Sequence, residues 1–244
     1  MYMEAKIKRL IKFIKESNKI VFFGGAGVST ESGLKDFRSK DGLYYEKYDF
    51  PPEEVLSRHF FYNNTSEFYR FYKDKLDVGN LESNITHIVL VKLEKIGKLS
   101  SIITQNIDGF HQKAGSKNVL ELHGSIFRNH CVKCNKEYSK EYVFNSLDIP
   151  LCSCGEIIKP DVILYEEGLD SDIVRCAIDE ISKCDLLIIG GTSLSVYPAA
   201  SFIRYFRGKH MVLINRDSTD YDNYCDLIIN KNIGDVFKEI EKEI

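Results

Sequence analysis

The sequence predicts an α/β fold with a mostly parallel sheet covered by helices on both faces. Three observations carry that prediction. Short apolar runs recur at 20–23, 101–104, 119–122, 162–165, 185–189, 211–214 and 226–229, and stretches with helical spacing separate most of them. Two of these runs end directly in glycine clusters, at Gly24, Gly25 and Gly27 and again at Gly190 and Gly191. Between 128 and 160 the composition shifts to two close cysteine pairs, the mark of an inserted module.

The N-terminal 17 residues read as an amphipathic helix with Ile7, Leu10, Ile11 and Ile14 inward. The run at 20–23 is a buried strand, and the glycine turn after it is open to two readings. It is either an ordinary strand-to-helix turn or a cradle whose backbone N–H groups meet a pyrophosphate. The spacing departs from the usual dinucleotide fingerprint: Thr30 stands where a third glycine is expected, and the acid, Asp36, follows no second strand. Residues 39–80 are rich in Tyr, Phe and charge. One helix starts at Pro51 and Pro52 with Glu53 and Glu54 in its first turn, and a second covers 67–76. Their aromatic residues are assigned to core ahead of a substrate groove.

A helix over 84–97 returns the chain to a strand at 101–104, which ends in Gln105, Asn106, Ile107 and Asp108. Polar groups in that position lie at the carboxyl edge of the sheet, where open α/β folds bind ligands. The strand at 119–122 is followed by His123, either a structural histidine or a general base. Cys131 and Cys134 are spaced CxxC, and after 17 intervening residues Cys152 and Cys154 are spaced CxC. Two such pairs predict a structural zinc ion held by four thiolates, with His130 as a spare ligand candidate. Next come a strand at 162–165, a helix at 171–182 and a strand at 185–189 that empties into Gly191, Thr192 and Ser193. After a helix beginning near Pro198, strands at 211–214 and 226–229 and a C-terminal helix complete the chain.

The 33 basic and 36 acidic residues give a net charge of −3 with no basic field, which argues against a nucleic-acid partner. No apolar run reaches the length of a membrane span, and the N-terminus lacks the features of a secretory signal, so a cytoplasmic location, no membrane partner and a monomer are expected. Seven cysteines without a signal peptide argue against a disulfide framework, and Cys176, Cys184 and Cys225 are expected as lone thiols.

In chain order these segments resemble the sirtuin family of NAD-dependent protein deacylases. The resemblance rests on GAGVSTESGLKDFRSKDGLY at 25–44, TQNIDGFHQKAG at 104–115, ELHG at 121–124, the cysteine pairs, KPDVILYEE at 159–167, GTSLSVYPAA at 191–200 and IN at 214–215. It implies a Rossmann-type domain over 1–35, 85–124 and 161–244, with a helical insertion at 36–84 and a zinc module at 125–160 forming a smaller domain. It also implies NAD as cosubstrate and acyl-lysine proteins or peptides as substrates. Gly25, Ala26, Gly27, Thr30, Asp36, Phe37 and Arg38 would meet NAD, with Gln105 near its ribose and Asn106, Ile107 and Asp108 on the nicotinamide side. Gly191, Thr192, Ser193, Asn215 and Arg216 would hold the adenosine half, capped by Cys225 or Asp226. His123, with Asn106, would be catalytic: nicotinamide leaves as the acyl oxygen attacks the ribose, and His123 then takes a proton from a ribose hydroxyl, giving O-acyl-ADP-ribose. The peptide would pair as a strand between Ile163, Leu164, Tyr165 and Glu166 on one side and Ser195, Val196 and Tyr197 on the other.

The chain departs from the family's pattern in places. Lys35 replaces a proline, Phe110 a leucine, Lys159 an arginine and Glu166 a glycine, the last adding negative charge beside the peptide. Members that remove acidic acyl groups carry a Tyr and an Arg three residues later; the matching positions are Tyr69 and Tyr72. Without that arginine a neutral acyl group is expected. Two other functions fit the same motifs: a mono-ADP-ribosyltransferase, and a non-enzymatic NAD-responsive binding module.

Overall fold

The computed structural model describes residues 2–36, 42 and 49–244, so Phe37 and Arg38 lie outside the described residues. Six strands form one parallel sheet: β1 (Ile20–Gly24), β2 (Leu99–Thr104), β3 (Val119–Glu121), β7 (Leu186–Gly190), β8 (His210–Ile214) and β9 (Leu227–Ile229). Their spatial order is β3-β2-β1-β7-β8-β9, the doubly wound order in which successive strands are added first on one side of β1 and then, from β7 onward, on the other. The strands are almost continuous apolar runs because both faces are covered; every residue of β1 and of β7 is buried.

One face is covered by α1 (Tyr2–Glu16), α5 (Ile85–Lys95) and α9 (Ile233–Glu241), which bring Leu10, Ile14, Leu90 and Phe237 onto Phe22 and Ile188. The other is covered by α8 (Ser171–Lys183) and a 3-10 segment, Ala199–Tyr205, through Ala177, Ile181 and Phe202. Side chains start these helices where the sequence offers them: Asn84 accepts from Thr86 N–H, and Asp170 accepts from Asp172 and Ile173 N–H.

The smaller domain contains α2 (Pro52–Val55), α3 (Arg58–Asn63), α4 (Thr65–Lys75), α7 (Lys140–Phe144) and an antiparallel sheet ordered β5-β4-β6, made of Glu137–Ser139, Gly124–Cys131 and Ile158–Val162. Its core joins both insertions, packing Phe61, Phe68, Tyr69 and Tyr72 with Val143, Cys152 and Ile158. Phe110, which opens α6 (Phe110–Ala114), also enters this core and ties it to the loop after β2.

The strand expected at 162–165 is displaced. Only Val162 belongs to a strand, and that strand, β6, pairs with β4 and not with the parallel sheet. The apolar side chains fit because β6 alternates buried and half-buried residues against the small-domain core, and Tyr165 pairs with Ser57 through an isolated bridge. Among the described residues no helix is long and apolar enough to cross a membrane.

Candidate active site

A cavity of about 550 Å³ opens at the carboxyl ends of β1, β2, β7 and β8, beneath the smaller domain. Its floor is the junction of the two glycine turns. Gly27 N–H donates to Gly191 O at 2.8 Å, and a Cβ added to Gly27 would lie 2.8 Å from that oxygen and 2.9 Å from Gly191 Cα. Gly191 itself has φ +59°. Two turns therefore touch backbone to backbone at the switch point, leaving a floor of main chain where side chains would stand.

The loop after β2 forms one wall. Thr104 Oγ1 accepts from Asn106 N–H, and Gln105 Nε2 donates to Thr192 Oγ1 at 3.1 Å, linking this loop to the second glycine turn. Asn106 Nδ2 donates to Ser29 Oγ at 3.1 Å, and Ser29 Oγ donates to Asp108 Oδ2 at 2.7 Å. Burial pushes the Asp108 carboxyl above its ordinary range, while the bonds from Phe110 N–H and Ser29 pull it back. Ser29 was not singled out in the sequence, although it lies inside the glycine motif, because its role depends on a loop 79 residues away.

His123 stands half-buried between β3 and β4. Its Nδ1 lies 2.9 Å from Gln105 O, an atom that only accepts, so Nδ1 carries the proton and Nε2 keeps its lone pair. Burial lowers the imidazole's pKa, and the bond to Gln105 O opposes the shift without cancelling it. A neutral imidazole with one fixed tautomer is competent to take a proton.

The structure brings most of the expected residues to this cavity. Gly25, Ala26, Gly27, Thr30, Asp36, Gln105, Asn106, Ile107, Asp108 and His123 line it, with Gly191, Thr192, Ser193, Asn215 and Arg216 on the far side. Arg216 lies 3.7 Å from Asp36, joining two cofactor-side loops. Ile163, Leu164, Tyr165, Glu166, Val196 and Tyr197 line the same cavity, and Ser195 is held next to it through a 2.7 Å bond between its hydroxyl and that of Ser193.

Four expected site residues lie elsewhere. Cys225 and Asp226 precede β9, and Asp226 N–H donates to Met211 O near the start of β8. In a parallel sheet that is the edge opposite the cavity. The chain reaches the cavity only after β9, where Lys231, Asn232 and Ile233 line it. The signal was available, since polar residues directly after a strand identified the sites behind β2 and β8. Tyr69 and Tyr72 are fully buried in the small-domain core and do not line the cavity; Tyr69 Oη donates to Ile158 O. One turn further along, Lys75, Leu76 and Val78 reach it instead.

Residues 25–198 match the model of the Sir2 family. The chain belongs to the Sir2 family. It is 57% identical over 242 residues to an NAD-dependent protein deacetylase of Clostridium perfringens, covering 98% of this chain and 99% of that one. It is 38% identical to the NAD-dependent protein deacetylase of Thermotoga maritima, covering 98% of each chain. Among solved structures it resembles a Sir2 protein bound to acetylated peptide, at TM-score 0.86 and 36% identity over 97% of this chain and 98% of that one. It also resembles a Sir2 variant with a deacetylated peptide and 3′-O-acetyl-ADP-ribose, at TM-score 0.89 and 37% identity over 97% and 98% of the chains.

In this Sir2-family chain the four cysteines converge. The Sγ atoms of Cys131, Cys134, Cys152 and Cys154 all lie within 4.8 Å of one another, with Cys131–Cys154 and Cys134–Cys152 at 3.5 Å. Four sulfurs about 2.3 Å from one tetrahedral ion require separations of roughly 3.8 Å, so the donor set fits zinc. Lys133 and Cys134 N–H donate to Cys131 Sγ, while Cys154 N–H and Tyr138 Oη donate to Cys152 Sγ, the pattern that thiolates need. The CxC spacing of the second pair does not prevent convergence. His130 is outside the cluster and faces Glu137 at 3.7 Å. A closed set of four protein ligands leaves no open position, which makes the centre structural.

Proposed function

We infer that this chain is an NAD-dependent protein lysine deacetylase, acting on acetyl-lysine proteins or peptides. One observation carries the reading: His123, fixed as a base by Gln105 O, shares a single cavity with both glycine turns and with the segment 163–166. NAD supplies ADP-ribose as acyl acceptor, with nicotinamide as leaving group. At Gly25, Gly27 and Gly191 an added Cβ would strike the facing turn, so glycine lets the two turns close on each other and present main chain to the pyrophosphate. Asn215, Arg216, Lys231 and Asn232 hold the adenosine half at the ends of β8 and β9. Asn106, Ile107 and Asp108 enclose the nicotinamide side, and their buried hydrogen-bond chain to Ser29 keeps that wall rigid. His123 Nε2 accepts a proton from a ribose hydroxyl. The peptide lies along Ile163, Leu164 and Tyr165 and against Val196 and Tyr197. The domain division at 36–84 and 125–160 is part of this reading.

A neutral acyl group is preferred. Leu56, Leu76, Val78, Ile126 and Leu164 line the cavity, and Lys75 is paired with Asp74 at 2.9 Å. Comparable rates on acetyl- and succinyl-lysine peptides would overturn that preference.

The deciding experiment supplies NAD and an acetyl-lysine peptide and identifies the products by mass. Nicotinamide and O-acetyl-ADP-ribose are expected, and His123→Ala should bind NAD but no longer yield O-acetyl-ADP-ribose. Transfer of ADP-ribose to the peptide itself would instead indicate a mono-ADP-ribosyltransferase.

A further inference from the structure

The cavity wall at 163–166 is fastened to the helical insertion. Tyr165 N–H donates to Leu56 O at 2.9 Å, and Arg58 N–H donates to Tyr165 O at 3.0 Å. Glu166 Oε2 accepts from His59 N–H at 2.9 Å, and Ser57 Oγ accepts from Phe60 N–H at 3.1 Å. The first three N–H groups of α3 are therefore all satisfied, two of them by this one segment. On its other flank Ile163 N–H donates to His123 O at 3.0 Å, so the segment bridges the general base and the insertion.

Glu166 has φ +75°, a left-handed conformation that disfavours any residue with a Cβ. A charge-assisted bond to a helix N-terminus compensates. The carboxylate is exposed, and its Oε2 is committed to the first turn of α3.

We propose that Glu166 is a positioning residue: it latches the edge 163–165 onto α3, so that the segment receiving the acyl-lysine peptide is in place before the peptide arrives. The proposal rests on the reading that the peptide lies along that edge.

The test varies peptide and NAD separately in steady-state kinetics of Glu166→Ala, Glu166→Gly and Glu166→Gln, with hydrogen exchange followed at the His59 amide. Loss of the bond should raise the peptide KM about fivefold to tenfold in the alanine variant, with kcat and the KM for NAD within about twofold. Glycine, free of the left-handed penalty, should show a smaller rise, and it serves if the alanine variant folds poorly. Glutamine keeps an acceptor oxygen and should restore the peptide KM to within about twofold of the wild type. Faster exchange at His59 with no change in peptide KM overturns the proposal, as does an equal rise in the glutamine and alanine variants. Amides 163–166 of the wild type should gain protection when an acetyl-lysine peptide binds. Its absence overturns the peptide reading, and the proposal with it, whatever the variants do.

Discussion

Ser29 and Asp108, 79 residues apart in sequence, share a 2.7 Å hydrogen bond in which the serine hydroxyl donates to the carboxylate, and both are buried. The bond joins the first glycine turn to the loop after β2, and Asn106 completes the chain by donating to the same hydroxyl. Removing Ser29 strands a buried carboxylate and a buried amide together. Ser29→Ala should cost about 1–3 kcal/mol of stability. It should also lower kcat/KM for NAD by at least about tenfold, because the nicotinamide-side wall loses its brace. Urea denaturation and initial rates measure the two effects. A variant with wild-type kinetics would show that the wall does not need the bond.

The pH dependence follows from His123. Burial lowers its pKa, so the imidazole stays neutral to a pH below the ordinary histidine value, and activity should be lost only as pH falls through that lowered value. The acid limb of kcat/KM should therefore be centred below about pH 6.5, the unperturbed histidine value. Rates with an acetyl-lysine peptide from pH 5 to 8.5 check this. An acid limb centred above neutrality would contradict the assigned proton acceptor.

The parallel sheet was legible in the sequence because its strands are buried on both faces and appear as continuous apolar runs, as β1 and β7 do. The glycine turns, Gln105 to Asp108 and Asn215 were legible for a related reason: in a parallel sheet every strand delivers its carboxyl end to one edge. That logic places Cys225 and Asp226 at the wrong edge and finds Lys231 and Asn232, had it been applied after β9. The antiparallel strand β6 was not legible, since the apolar run at 162–165 overlaps it only at Val162 and a run of four residues does not specify its partner. Tyr69 and Tyr72 were misplaced because which face of α4 meets the cavity depends on how two insertions, far apart in sequence, pack together.

The cysteine centre should bind about one zinc ion per chain, measured by metal analysis of the purified protein. Cys131 and Cys152 belong to the same buried cluster as Phe61, Tyr69 and Val143, so the metal and the small-domain core stand or fall together. Cys152→Ala should lose the zinc and about 3–5 kcal/mol of stability, or about 10 °C in Tm. Retained zinc with unchanged melting would show that the four sulfurs do not act as one site.

Tyr69 and Tyr72 separate two kinds of buried hydroxyl and decide whether this face of α4 is core or substrate contact. Tyr69 Oη donates to Ile158 O, whereas Tyr72 Oη has no hydrogen-bond partner among the described residues. Burial pushes both phenols well above their ordinary pKa, so neither carries charge at neutral pH. Tyr69→Phe leaves the Ile158 carbonyl without its donor and should lose about 1 kcal/mol, seen as a drop of about 2–4 °C in Tm. Tyr72→Phe removes an unsatisfied polar atom while keeping the ring stacked on Phe68, and should raise stability by about 1 kcal/mol. Neither change should alter the peptide KM, since neither ring lines the cavity. A raised KM in Tyr72→Phe at unchanged stability would return this residue to the substrate site and reopen the question of acidic acyl groups.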